Sequence, residues 1–89
     1  MIEGKTTSGF SYEIDDRLFK DWEVITSLDN LKKNKASMAE INNLFELLLT
    51  KDGFAELKEY VKERNDGIIN SDAMLQELKE ILAHEKLKN

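Results

Sequence analysis

"FSYEIDDRLFKDWEVITSL", residues 10–28, changes its period halfway along. Phe10, Tyr12 and Ile14 alternate with Ser11 and Glu13, the period of a half-buried strand. From Leu18 the apolar residues fall at Leu18, Trp22, Ile25 and Leu28, which is helical spacing. The corner between the two patterns is Ile14-Asp15-Asp16. Asp15 is the expected N-cap, because it sets Ile14 just before the cap and Phe19 at the fourth helical position, the two ends of a hydrophobic staple. Asp16 and Asp21 add negative charge near the positive end of the helix dipole.

Upstream of this corner, residues 1–15 read as a β-hairpin. Residues 2–6 and 10–14 form its strands, and Thr7-Ser8-Gly9 the turn, where Gly9 can take the positive φ required. A lone hairpin is marginal in water, so its Phe10, Tyr12 and Ile14 face is expected to pack on the helices that follow.

Downstream, the first helix is expected over 16–30 and ends in the polar stretch "NLKKNKAS". Ser37 with Glu40 three residues on forms a capping box and opens a second helix, 37–50. Asp52 is expected to cap a third, 53–65, with Phe54, Leu57, Tyr60 and Val61 on one side and Gly67 as its stop. Ile68 and Ile69 make an apolar connector. Ser71 then caps a last helix, 71–87, with Leu75, Leu78, Ile81 and Leu82 as its stripe. The expected fold class is mainly α (α+β): one domain over 1–89, an N-terminal β-hairpin followed by about four helices in a small bundle.

Thirteen basic against eighteen acidic residues give a formal charge of -5, which repels a phosphate backbone and argues against a nucleic-acid partner. The one basic cluster, Lys32, Lys33 and Lys35, lacks arginine and an interleaved aromatic, and reads as a solvated loop. Without cysteine there is no disulfide framework, thiolate zinc site or cysteine nucleophile, and a reducing cytoplasm is the expected setting. "MIEGKTTSGF" lacks the basic and apolar regions of a signal peptide, and no membrane association is expected.

Residues for chemistry are few. His84 is the single histidine and is expected on the surface of the last helix. Asp15, Asp16 and Asp21 lack the alternating oxygens and glycine of a calcium loop, and capping accounts for the first two. Gly4, Gly9, Gly53 and Gly67 stand singly and build no phosphate loop. No cofactor, metal or enzymatic activity is expected.

What stands out is apolar surface. Met38, Ile41, Leu44, Phe45, Leu48 and Leu49 share an arc of about 140° on the second helix, but Leu47 lies outside it. On the first helix the apolar set, with Phe19, Val24 and Leu31, spreads over about 240°, more than one packing face needs. Either these helices are flanked on two sides, or part of the surface serves a partner or self-association into a homo-oligomer. Trp22 suits a core wedge or an interface anchor. The candidate partner contacts are Phe19, Trp22, Val24 and Leu47.

The order of parts, "FSYEID", "DWEVITSL", "INNLFELLL", "GFAELKEYV", "MLQELKEIL" and a closing "KLKN", resembles the tail assembly chaperones of long-tailed bacteriophages. The similarity covers nearly the whole chain, and Asp21-Trp22-Glu23 with the closing Lys-Asn carries most of it. Two features depart from the family pattern: Leu49-Thr50, where a small residue is expected, and the lysine-rich loop at 32–35. The resemblance implies a protein that binds the largely helical tape measure protein while the tail tube polymerises around it. It implies a place in the host cytoplasm and absence from the finished virion. It also implies a longer form made by programmed frameshifting, whose extension helps recruit tail tube protein. A small acidic adaptor or antirepressor, binding one folded protein through the first helix, is the alternative.

Leu87-Lys88-Asn89 is compatible with codons that contain the slippery heptamer A AAA AAC. The frameshift reading expects a leucine codon ending in A, then AAA and AAC, in the gene. An AAG codon at Lys88 removes this slip site.

Overall fold

The computed structural model describes residues 1–83. The hairpin forms as expected: β1 (Ile2–Lys5) pairs antiparallel with β2 (Ser11–Ile14), in a register that sets Ile2 opposite Ile14 and Gly4 opposite Tyr12. Thr6 N donates to Phe10 O and Gly9 N to Thr6 O, and Gly9 closes the turn at φ 105°. Alternation then sorts the residues. Ile2, Phe10, Tyr12 and Ile14 are buried, while Glu3, Lys5, Ser11 and Glu13 face water. Gly4 leaves room for its partner, since with a Cβ there the hydroxyl end of the Tyr12 ring would have to shift.

After the hairpin the chain departs from expectation. The single helix expected over 16–30 is two pieces. Asp15 caps only a short 3-10 segment, Asp16–Lys20, accepting from Arg17 N at 3.0 Å. Asp21 then begins α1 (Trp22–Lys32), its carboxylate accepting from Glu23 N at 2.9 Å and Val24 N at 3.2 Å. Asp15 and Asp21 are therefore the caps, rather than Asp15 and Asp16. Asp15 also holds Arg17 in an ion pair, and those hydrogen bonds lower its pKa to about 2. α1 ends in a Schellman motif: Lys35 N donates to Asn30 O, Asn34 N to Leu31 O, and Asn34 takes φ 56°.

The expected second and third helices form one element, α2 (Met38–Arg64), interrupted at Thr50. Ser37 is the N-cap, accepting from Glu40 N at 3.1 Å, as the capping box predicts. The Glu40 carboxylate turns to Asn30 Nδ2 at 2.9 Å and so ties α1 to α2. At Thr50 the backbone leaves the helix at φ 67°, ψ 169°. Thr50 Oγ1, rather than Asp52, accepts from Gly53 N at 3.3 Å. The bend is sharp. Phe45 and Phe54 are nine residues apart, about 13.5 Å along a straight helix, yet their rings stack with centroids 4.9 Å apart and planes at 9°.

Gly67 helps stop α2 as expected, its N–H donating to Lys62 O at 2.9 Å, but the preceding left-handed residue is Asp66 at φ 54°. α3 (Ser71–Leu82) is capped by Asn70, whose side chain accepts from Ala73 N, and not by Ser71. The rest of the expected last helix, with His84 and the closing residues, lies outside the described residues. With α2 taken as one element there are three α-helices among the described residues, but its two segments meet at Thr50, where the expected second helix ends, so the expected break is present without an intervening loop.

One core joins the 10–14 strand stretch to the three α-helices. Phe10, Tyr12 and Ile14 meet Val24 of α1, the Ile41, Leu44, Phe45 and Leu48 side of α2, and Leu78 and Ile81 of α3. Met74 is buried, while Leu75 and Leu82 pack only at the margin, so the α3 stripe is rotated toward Met74 and Glu77. Met38, expected in the α2 arc, is exposed.

The hairpin tip is fastened by polar contacts with residues far along the chain. Glu77 is buried on α3 and accepts from Thr6 Oγ1 at 3.0 Å and Ser8 Oγ at 2.8 Å. Glu80 accepts from Thr7 N at 2.6 Å and Thr7 Oγ1 at 3.0 Å. Tyr60 of α2 donates its hydroxyl to Ser8 O, and its ring lies 5.6 Å from that of Phe10.

Thr50 occupies a region of φ/ψ space that is nearly glycine-only, at a cost of about 1–3 kcal/mol. Glycine relieves this and weakens the cap by only a few tenths. Thr50→Gly is expected to raise stability by about 1 kcal/mol in urea denaturation, after the added freedom of the unfolded chain is subtracted.

The Thr7 backbone and hydroxyl bonds lower the Glu80 pKa. A depressed carboxylate pKa stabilises the fold above the unfolded value and loses that contribution as pH falls through the folded one. Urea midpoints are expected to fall below about pH 4.5, with a shallower fall in Glu80→Gln.

Candidate functional site

Of the four candidate contacts, one stands in solvent. Val24 is 0% exposed and belongs to the core, which removes it from any free surface. Phe19 and Leu47 are half-buried and pack against the core margin. Trp22 is 80% exposed, which settles the choice between core wedge and surface residue against the core.

The cause is the phase of α1. Because Asp21 restarts the helix, the inward stripe is Val24, Ser27, Leu28 and Leu31, spaced by three and four. Trp22 lies opposite that stripe. Ile25 is half-exposed beside it, three residues on, so the two share an outer face with acidic Asp29. The expected stripe of Leu18, Trp22, Ile25 and Leu28 assumed one continuous helix, which the 3-10 segment breaks.

Ile68 and Ile69 are exposed to 65% and 44% in the connector between α2 and α3. Their chain position was legible as an apolar connector. Their exposure was not, because it depends on the turn that Asp66 and Gly67 make. Of the large apolar side chains in solvent, only Trp22 is among the four nominated residues.

Beside the hairpin runs an open groove of about 730 Å³ that reaches the Thr50 bend. Leu49, Phe10 and Tyr12 contribute to its lining, and Glu3, Glu13, Asp52 and Glu56 outnumber Lys5 as its charged residues. Burial, with a smaller contribution from the Glu80 charge, raises the Tyr12 pKa.

No three His, Asp or Glu side chains among the described residues are grouped to share a cation. The buried Glu77 is committed to the Thr6 and Ser8 hydroxyls. The lysines of the α1–α2 loop are exposed, and Lys33 pairs with Asp29 at 2.9 Å, an interaction of little energetic weight. No described helix is long and apolar enough to cross a membrane. No protein-family model, curated protein or solved structure matches the chain.

Trp22 and Val24, two residues apart on α1, should respond differently to the same change. Val24→Asp places a charge in the core and is expected to abolish cooperative unfolding at 25 °C. Trp22→Asp is expected to shift stability by no more than about 0.5 kcal/mol. Circular dichroism during urea titration measures both.

Proposed function

We propose that this chain is an assembly chaperone of the phage-tail kind, holding an apolar helical segment of the tape measure protein while the tail tube grows around it. The observation that carries the reading is the Trp22 and Ile25 face: a large aromatic and an aliphatic side chain kept in water on α1. Covering roughly 200 Å² of indole surface is worth on the order of 5 kcal/mol before association costs, enough for an anchor. The surrounding Asp21, Glu23 and Asp29 keep such a face soluble between encounters.

Phe19 and Leu47 are margin contacts in this reading, and Val24 supports α1 from within. The protein works in the bacterial cytoplasm, carries out no catalysis and leaves before the virion is complete. A frameshifted extension past Asn89 would bring tail tube protein to the same assembly.

Co-expression with the tape measure protein tests this. The expected result is a soluble complex that co-purifies, lost in the Trp22→Ala, Ile25→Ala double variant, whose own folding is unchanged. Unaltered tape measure solubility and no co-purification would reject the proposal. The adaptor or antirepressor reading also draws on the single exposed tryptophan. It expects a stoichiometric complex with a folded regulator and a gene neighbourhood without tail genes.

A further inference from the structure

The hairpin leaves β1 without an outer neighbour: the sheet has two strands, and no third pairs with either among the described residues. The register fixes which backbone groups are free. Thr6 N bonds Phe10 O across the turn, so hydrogen-bonded pairs recur every second residue, at Gly4 with Tyr12 and Ile2 with Ile14. The N–H and C=O of Glu3 and Lys5 therefore point away from β2.

Three further observations leave this edge clear. α2 packs chiefly beneath β2 rather than β1. On the inner side of β1 the Tyr12 ring lies across Gly4. Glu3, Gly4 and Lys5 line the open groove. Charges at Glu3 and Lys5 are the usual protection of an exposed edge, but here they alternate in sign and so select among pairings.

We propose that β1 is a self-pairing edge, joining two copies of this chain through antiparallel β1 strands about a two-fold axis at Gly4. The register follows from the outward groups. Only odd residues can make narrow pairs, which leaves three centred alignments. Centring on Glu3 sets glutamate against glutamate, and centring on Lys5 sets lysine against lysine. Centring on Gly4 sets Glu3 opposite Lys5 of the second copy, twice over, with about four backbone hydrogen bonds. Both side chains of each pair lie on the water-facing side of the sheet, and exposed Met1 comes level with Thr7 of the second copy. An edge of four residues buries little area, so the dimer belongs to the weak, transient class.

This inference is independent of the tape measure reading, since it uses neither Trp22 nor Ile25. Sedimentation equilibrium of the purified chain from 10 μM to 1 mM, at low salt, is the test. The expected result is a rise in weight-average mass toward a dimer. Glu3→Lys and Lys5→Glu, both at exposed positions, are each expected to weaken association about tenfold or more by creating two like-charge pairs. The double swap, Glu3→Lys with Lys5→Glu, restores it. Hydrogen exchange provides the second readout: the Glu3 and Lys5 amides gain protection with concentration, while those of Ser11 and Glu13 do not. A chain monomeric at 1 mM, a double swap as weak as the single variants, or protection gained away from β1 overturns the proposal.

Discussion

The clasp between the hairpin tip and α3 is the constraint on which the rest of the molecule depends. A two-stranded hairpin has too little buried surface to persist alone, yet this one supplies Phe10, Tyr12 and Ile14 to the common core. Glu77 and Glu80 bind Thr6, Thr7 and Ser8 from about seventy residues away, and Tyr60 adds a bond from α2. The apolar contacts give affinity between the parts, but they are tolerant of direction. The hydrogen bonds fix the angle, because a buried carboxylate such as Glu77 is tolerable only while its hydroxyl partners remain in place.

With the hairpin fixed, the bend at Thr50 becomes useful. A straight element over 38–64 would reach about 40 Å, longer than so small a core can cover. Folding it at Thr50 returns Phe54, Leu57 and Val61 to the same interior as Phe45 and Leu48, and the stacked phenylalanines occupy the inside of the corner. The backbone strain at Thr50 is offset by that packing. The sequence carries an acceptor side chain there rather than a glycine, so the corner has both a strained residue and a cap on the second segment.

The candidate interaction face arises from a smaller event of the same type. A 3-10 segment takes up residues that a continuous α-helix would have used, and Asp21 starts α1 anew. This moves Val24 inward and Trp22 outward. Exposed and buried apolar positions therefore alternate along one short helix, with Trp22 and Ile25 outside and Val24 inside.

The sequence by itself determined the hairpin, its Gly9 turn, its buried face, the Ser37 cap and the overall helical class, because each rests on contacts within a few residues. Strand alternation, a turn glycine and a serine three residues before a glutamate are local signals with local causes. It also left open whether the wide apolar arc of the first helix is covered on two sides or faces solvent. Tertiary structure decided which apolar residues stay exposed, how sharply the chain turns between the two helices at Thr50, and that Glu77 and Glu80 hold the hairpin tip. Those outcomes depend on distant groups competing for one interior: the rotation of α1 and the angle at Thr50 are set by what packs beneath them, and no period in the chain records it.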